Sequence, residues 1–158
     1  MTFILRWLLI LVLLVFIAFS LFPAAIVTLL QSNVNIPGLS SEQVEIAGNS
    51  NWIETALWYG AAVFLFIATV RLIRRTQAFV AWLIGFLLYG GRWALTQQDQ
   101  GGVMPAVQAL TVDSFRPENI TTTSTPGQLA LLAALLVVGI VIFIVDHTDR
   151  KHWAAQAA

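Results

Sequence analysis

Apolar residues in this chain come in long blocks separated by short polar stretches, not along alternating faces. The first block, Trp7 to Leu30, contains no charged residue. A second runs from Trp52 to Val70, a third from Ala78 to Ala94 and a fourth from Gln128 to Val145. A bilayer core about 30 Å thick is crossed by roughly 20 residues of helix. The pattern therefore predicts an all-α integral membrane protein with four transmembrane helices, spanning about 7–30, 52–70, 78–94 and 128–145. The third and fourth blocks are short for a span, but interfacial side chains adjust for that. Trp52, Trp93 and Trp153 stand at or beyond span ends, where amphipathic rings prefer to lie. The whole chain, 1–158, reads as a single four-helix membrane domain with two extracytoplasmic loops, about 31–51 and 95–125. A tight basic turn joins the second and third blocks, which predicts an antiparallel hairpin.

The first block needs weighing against a signal peptide, with Arg6 as its basic region. The apolar core of a signal peptide is typically about 7–15 residues, whereas this block continues past Phe22. The expectation is an uncleaved helix, kinked at Pro23 or leaving the hydrocarbon there. Thr125-Pro126 supplies a capping hydroxyl and a first-turn proline for the fourth helix. In the loops, Pro37-Gly38 and Gly101-Gly102 with Pro105 are chain breakers. Ser-Ser-Glu-Gln-Val-Glu-Ile in the first loop predicts one helical turn. Met104 to Val112 in the second predicts a short interfacial helix with Met104, Val107 and Leu110 on its apolar side, followed by an extended run, Thr121 to Thr125. Asn119-Ile120-Thr121 matches a glycosylation sequon, a tripeptide common by chance.

Composition agrees with this picture and removes several function classes. The chain is 58% hydrophobic and 10% charged, with a mean hydropathy of +0.81, against about 25% charged residues in a soluble domain. Eight Lys and Arg balance eight Asp and Glu, so no basic excess exists to bind nucleic acid. Without Cys, disulfides, thiol catalysis and thiolate metal sites are excluded. The placement of charge also predicts orientation. Arg6, Arg71, Arg74, Arg75, Arg150 and Lys151 fall on one side of the four blocks, and only Arg92 and Arg116 on the other. Positive flanks are retained inside, which predicts cytoplasmic termini in a cytoplasmic (inner) membrane. Arg71, Arg74, Arg75, Arg150, Lys151 and Trp153 form a collar suited to anionic lipid headgroups.

Chemistry is scarce. Ionisable residues at depth in a bilayer are costly and usually functional, but here Glu54, Arg71, Arg92, Asp146 and His147 all fall at span ends. Glu54 complements a helix dipole and Arg92 closes the third span, where it can snorkel. Only His147 and His152 could ligate haem or another cofactor through imidazole. Asp146-His147-Thr148-Asp149 reads first as a helix end among headgroups, with His147 a weak cofactor-binding candidate. Catalytic serine, zinc-protease and phosphate-loop spacings are missing. Neither a catalytic residue nor a metal site is expected, and the chain reads as no enzyme. Small residues one turn apart, Ala56 and Gly60, Ala81 and Gly85, Ala130 and Ala134, are the expected helix-packing positions.

These readings lead to a non-catalytic accessory or scaffolding subunit of a larger membrane complex. An energy-transducing electron-transfer assembly, respiratory or photosynthetic, is the expected setting. Such a subunit would stabilise helices and bound lipid or quinone, contact larger integral membrane subunits, and offer its outer loops to an extrinsic subunit. One alternative is a small homo-oligomeric transporter or channel, its pore lined by Thr28, Thr55, Thr69 and Gln128. Another is a lipid- or pigment-binding protein using Trp58, Tyr59, Phe64, Trp82, Phe86 and Tyr89.

Overall fold

The structure is a computed structural model, and it describes residues 2–31, 52–99, 101–108, 110, 111, 114, 116 and 125–157; the side chains of 2, 31, 99, 106 and 150–157 are not among those described. Among the described residues there is no strand. The helices are α1 (Thr2–Gln31), α2 (Trp52–Ile73), α3 (Phe79–Asp99), the short α4 (Val103–Gln108) and α5 (Thr125–Ala157). Four of them, all but α4, are long and apolar enough to cross a membrane, and the protein is an all-helical integral membrane protein.

All four long helices overrun the apolar blocks that announce them, α2 by reaching Ile73. α1 starts at Thr2, α3 continues through Gln97-Gln98 to Asp99, and α5 passes Val145 to reach Ala157. Hydropathy marks where the hydrocarbon ends, whereas a helix propagates for as long as its residues are good helix formers. α1 also runs through Pro23 to Gln31, although the ring removes one backbone donor. α4 occupies the first half of the expected interfacial helix, with Met104 and Val107 exposed. The helical turn expected in the first loop, the run before Thr125 and the sequon at 119–121 lie outside the described residues.

The α2–α3 hairpin is closed by local chemistry. Thr76 N donates to Arg71 O (2.9 Å) and Arg75 N to Leu72 O (3.2 Å), the paired bonds of a Schellman helix end. Arg75 takes the left-handed position at φ 56°, where glycine is usual. Arg71, in the last turn of α2, stands at the negative end of the helix dipole, where a cation is favoured.

Packing follows chain order: α1 rests on α2, α2 on α3, α3 on α5, and α5 returns to α1. Each neighbour pair is antiparallel, so the bundle is a closed up-and-down ring. Its core takes Leu9, Leu13, Phe16 and Ile17 from α1, and Ala61, Leu65, Ala68 and Leu72 from α2. α3 adds Ala81, Trp82 and Tyr89, and α5 adds Leu135, Val138, Ile142 and Val145. Spacings of three and four residues set each group on one helix face. The opposite faces expose Leu11, Phe22, Val63, Phe66, Leu87 and Ile140. Lipid is as apolar as leucine, so burial alone does not drive these helices together; close packing and interhelical polar contacts must do so.

Candidate functional site

The polar groups gather at the two ends of the bundle. At one end meet the N-terminus of α1, the α2–α3 turn and the last third of α5. Arg6 pairs with Asp149 across the α1–α5 contact. Asp146, 7% exposed, accepts the backbone N–H groups of Ala78 (2.8 Å) and Phe79 (2.9 Å) through Oδ2. The first helical bond of α3 runs from Trp82 N to Ala78 O, which makes Ala78 the N-cap. Alanine has no oxygen to cap with, so a carboxylate from α5 supplies the cap and complements the dipole. Two side chains that read as a helix end in the sequence are instead ties between helices.

His147 is exposed and stacks on Phe143 one turn earlier, with ring centroids 6.3 Å apart. A groove of about 280 Å³ beside it is lined by Gln77, Phe79, Val80, Phe143, Asp146 and His147. Among the described residues no group of three His, Cys, Asp or Glu side chains converges. The collar residues separate. Arg71 and Arg74 line a groove of about 660 Å³ at the hairpin turn. Arg75 lines a smaller one of about 90 Å³ with Phe3, Arg6 and Trp7. Arg150, Lys151 and Trp153 lie on the helical backbone of α5, with side chains outside those described.

At the other end, the α3 helix continues past Arg92 to Asp99, so Arg92 lies inside the helix and does not close it. Arg92 sits over the Trp58 ring, 4.2 Å from its centroid, and Tyr89 packs edge-on against the same indole at 5.7 Å. A cation on an aromatic face keeps partial solvation that hydrocarbon denies it. The Thr96 hydroxyl lies 2.8 Å from Glu54 Oε1 and 3.1 Å from Arg92 O, sharing its proton between α2 and α3. Thr28 donates to Ala24 O (2.8 Å), so at 3.0 Å the Tyr59 hydroxyl is the donor that links α2 to α1. Thr69, a pore-lining candidate, is buried and donates to Leu65 O of its own helix.

The small residues divide in the same way. A Cβ on Gly85 would stand 3.0 Å from the Leu65 side chain and 3.3 Å from its backbone N, and one on Gly60 3.1 Å from Leu88 Cδ1. Ala81 is buried, while Ala56, Ala130 and Ala134 are exposed. Gly139, which the small-residue spacing overlooks, makes the tightest approach, lying directly on the Trp82 indole. Nothing local in the sequence signals it, because its partner is 57 residues away on another helix. Gly85→Leu is expected to push α2 from α3 and lower stability by about 1–3 kcal/mol. Thermal unfolding in detergent reads this, with Ala56→Leu, on an exposed position, expected to be within about 0.5 kcal/mol of the parent.

The geometry among the described residues is one of contacts that join helices. The chain matches no protein-family model, and no curated protein or solved structure is similar to it.

Proposed function

We propose that this protein is a non-catalytic accessory subunit that scaffolds a larger membrane complex. One observation carries the reading: an outward face of α5 built from Ala130, Ala133, Ala134, Val137 and Ile140. These positions recur at helical spacing, and the small side chains at the Thr125 end let another helix approach its backbone closely. The charged and hydroxyl groups support the same view, since Arg6, Asp146, Asp149, Glu54 and Thr96 are spent on contacts within the bundle. The partners we infer are larger integral membrane subunits on the α5 face and an extrinsic subunit at the outer loops. An energy-transducing electron-transfer assembly is the setting we favour, with redox centres carried by the partners and lipid or quinone held at the edge of this chain. The imbalance of Lys and Arg supports cytoplasmic termini in an inner membrane.

Gentle purification of the C-terminally tagged chain, with mass spectrometry of what accompanies it, tests this. Stoichiometric larger membrane proteins are expected. Ala130→Phe with Ala134→Phe should release them while the chain itself remains folded, because both side chains point outward. A clean homo-oligomer with nothing attached would overturn the reading in favour of transport.

A further inference from the structure

The Schellman turn that ends α2 does more than reverse the chain. Ile67, Arg71 and Arg74 share one face of that helix end at spacings of four and three residues, with Phe66 and Val70 alongside. Together with Thr76 they line the 660 Å³ groove. The groove changes character along its length. Phe66 is exposed and Ile67 and Val70 are half-buried within the apolar span, whereas Arg71 and Arg74 are exposed where the span ends. We propose that this groove holds one anionic phospholipid, with its phosphate between the Arg71 and Arg74 guanidiniums and the first acyl carbons along Phe66, Ile67 and Val70.

Charge selects the occupant. The groove presents two cations and no acidic side chain, and two arginines one turn apart on a helix repel each other. An anion seated between them removes that repulsion and adds charge-assisted hydrogen bonds. The site is also part-built. Arg71 Nη1 donates to Gln77 O (3.1 Å), and Arg71 O accepts from Thr76 N (2.9 Å) and the Thr76 hydroxyl (3.3 Å), so one guanidinium is braced across the turn. Among the described residues, no hydrogen bond or ion pair engages the Arg74 guanidinium. Arg75, next in sequence, belongs to the separate groove beside α1. Of the collar residues whose side chains are described, Arg71 and Arg74 thus share one groove and Arg75 stands in another. This holds whether or not the chain works as a subunit.

The test uses the purified full chain in nanodiscs containing phosphatidylglycerol or phosphatidylcholine, with retained lipid counted by native mass spectrometry. One tightly retained phosphatidylglycerol per chain is expected. A cation near an anionic headgroup contributes about fivefold in affinity, so Arg71→Gln with Arg74→Gln should weaken retention about 25-fold. Arg75→Gln removes one charge from the separate groove beside α1 and should weaken retention less than Arg74→Gln does. If Arg71→Gln disturbs the turn, Arg74→Gln alone is expected to give the fivefold loss. Ile67→Trp fills the apolar wall without altering charge and should also displace the lipid. Equal losses from Arg74→Gln and Arg75→Gln, equal retention of phosphatidylcholine, or full retention in Ile67→Trp would overturn the proposal. So would displacement by soluble glycerol phosphate at concentrations matching the lipid, which would point to a free phosphate site.

Discussion

Gly139→Ala is expected to destabilise the bundle by about 3 kcal/mol, at the upper end of overpacking, although it adds only one methyl group. The reason lies in what faces this glycine. A Cβ there would fall inside the van der Waals envelope of the Trp82 indole, on Cζ2 and Cη2. An indole is rigid, so the clash cannot be relieved by bending a flexible end. Nor can the ring swing aside freely, because Trp82 stacks between Phe79 (5.4 Å) and Phe86 (5.3 Å) and is almost wholly buried. The helices must separate, and α5 loses its fit on α3. Unfolding of the purified protein in detergent by heat or dodecyl sulfate measures the loss, and Gly139→Leu should be worse. Trp82→Ala vacates the volume, so the double variant Trp82→Ala with Gly139→Leu is expected to be more stable than the sum of the two singles predicts. Additive losses would show that Gly139 and Trp82 do not bear on each other.

Asp146→Ala is expected to have an effect of similar size, on the order of 3 kcal/mol, for an electrostatic reason. Its Oδ2 serves the Ala78 and Phe79 N–H groups together. Each buried donor left without a partner costs about 1–3 kcal/mol, and the α3 dipole loses its facing charge. Asp146→Asn keeps an amide oxygen for one or both donors and gives up only the charge, so it should cost roughly 1 kcal/mol. Hydrogen exchange at the Ala78 and Phe79 amides separates this cause from a general loosening. Both should lose protection in the alanine variant, ahead of the core amides of α1 and α2. Uniform loss across all four long helices would mean that the carboxylate matters for reasons other than capping.

These two variants also mark where the sequence stops being legible. The small-residue rule, looking for pairs one turn apart, finds Gly60 and Gly85, which do lie at the α2–α3 approach, and also Ala130 and Ala134, which face outward. It passes over Gly139, because the tight contact there is with a single ring from another helix and not a repeated stripe. Arg92 illustrates a different gap. Hydropathy places it at a span end, yet α3 continues through polar residues beyond it, and the Trp58 ring receives its charge.

The apolar blocks by themselves determined that this chain is helical and membrane-spanning, because a bilayer leaves helix as the form in which a lone apolar segment satisfies its own backbone. The short basic link between the second and third blocks likewise determined an antiparallel hairpin, since a few residues reach only to a neighbour. Which groups hold the ring of helices together was decided by the tertiary structure alone. In lipid, helix association rests on close fits and polar contacts between distant residues: Trp82 on Gly139, Arg6 with Asp149, Asp146 on the start of α3. Such contacts depend on which faces meet, and block hydropathy, nearly uniform around each helix, carries little record of that.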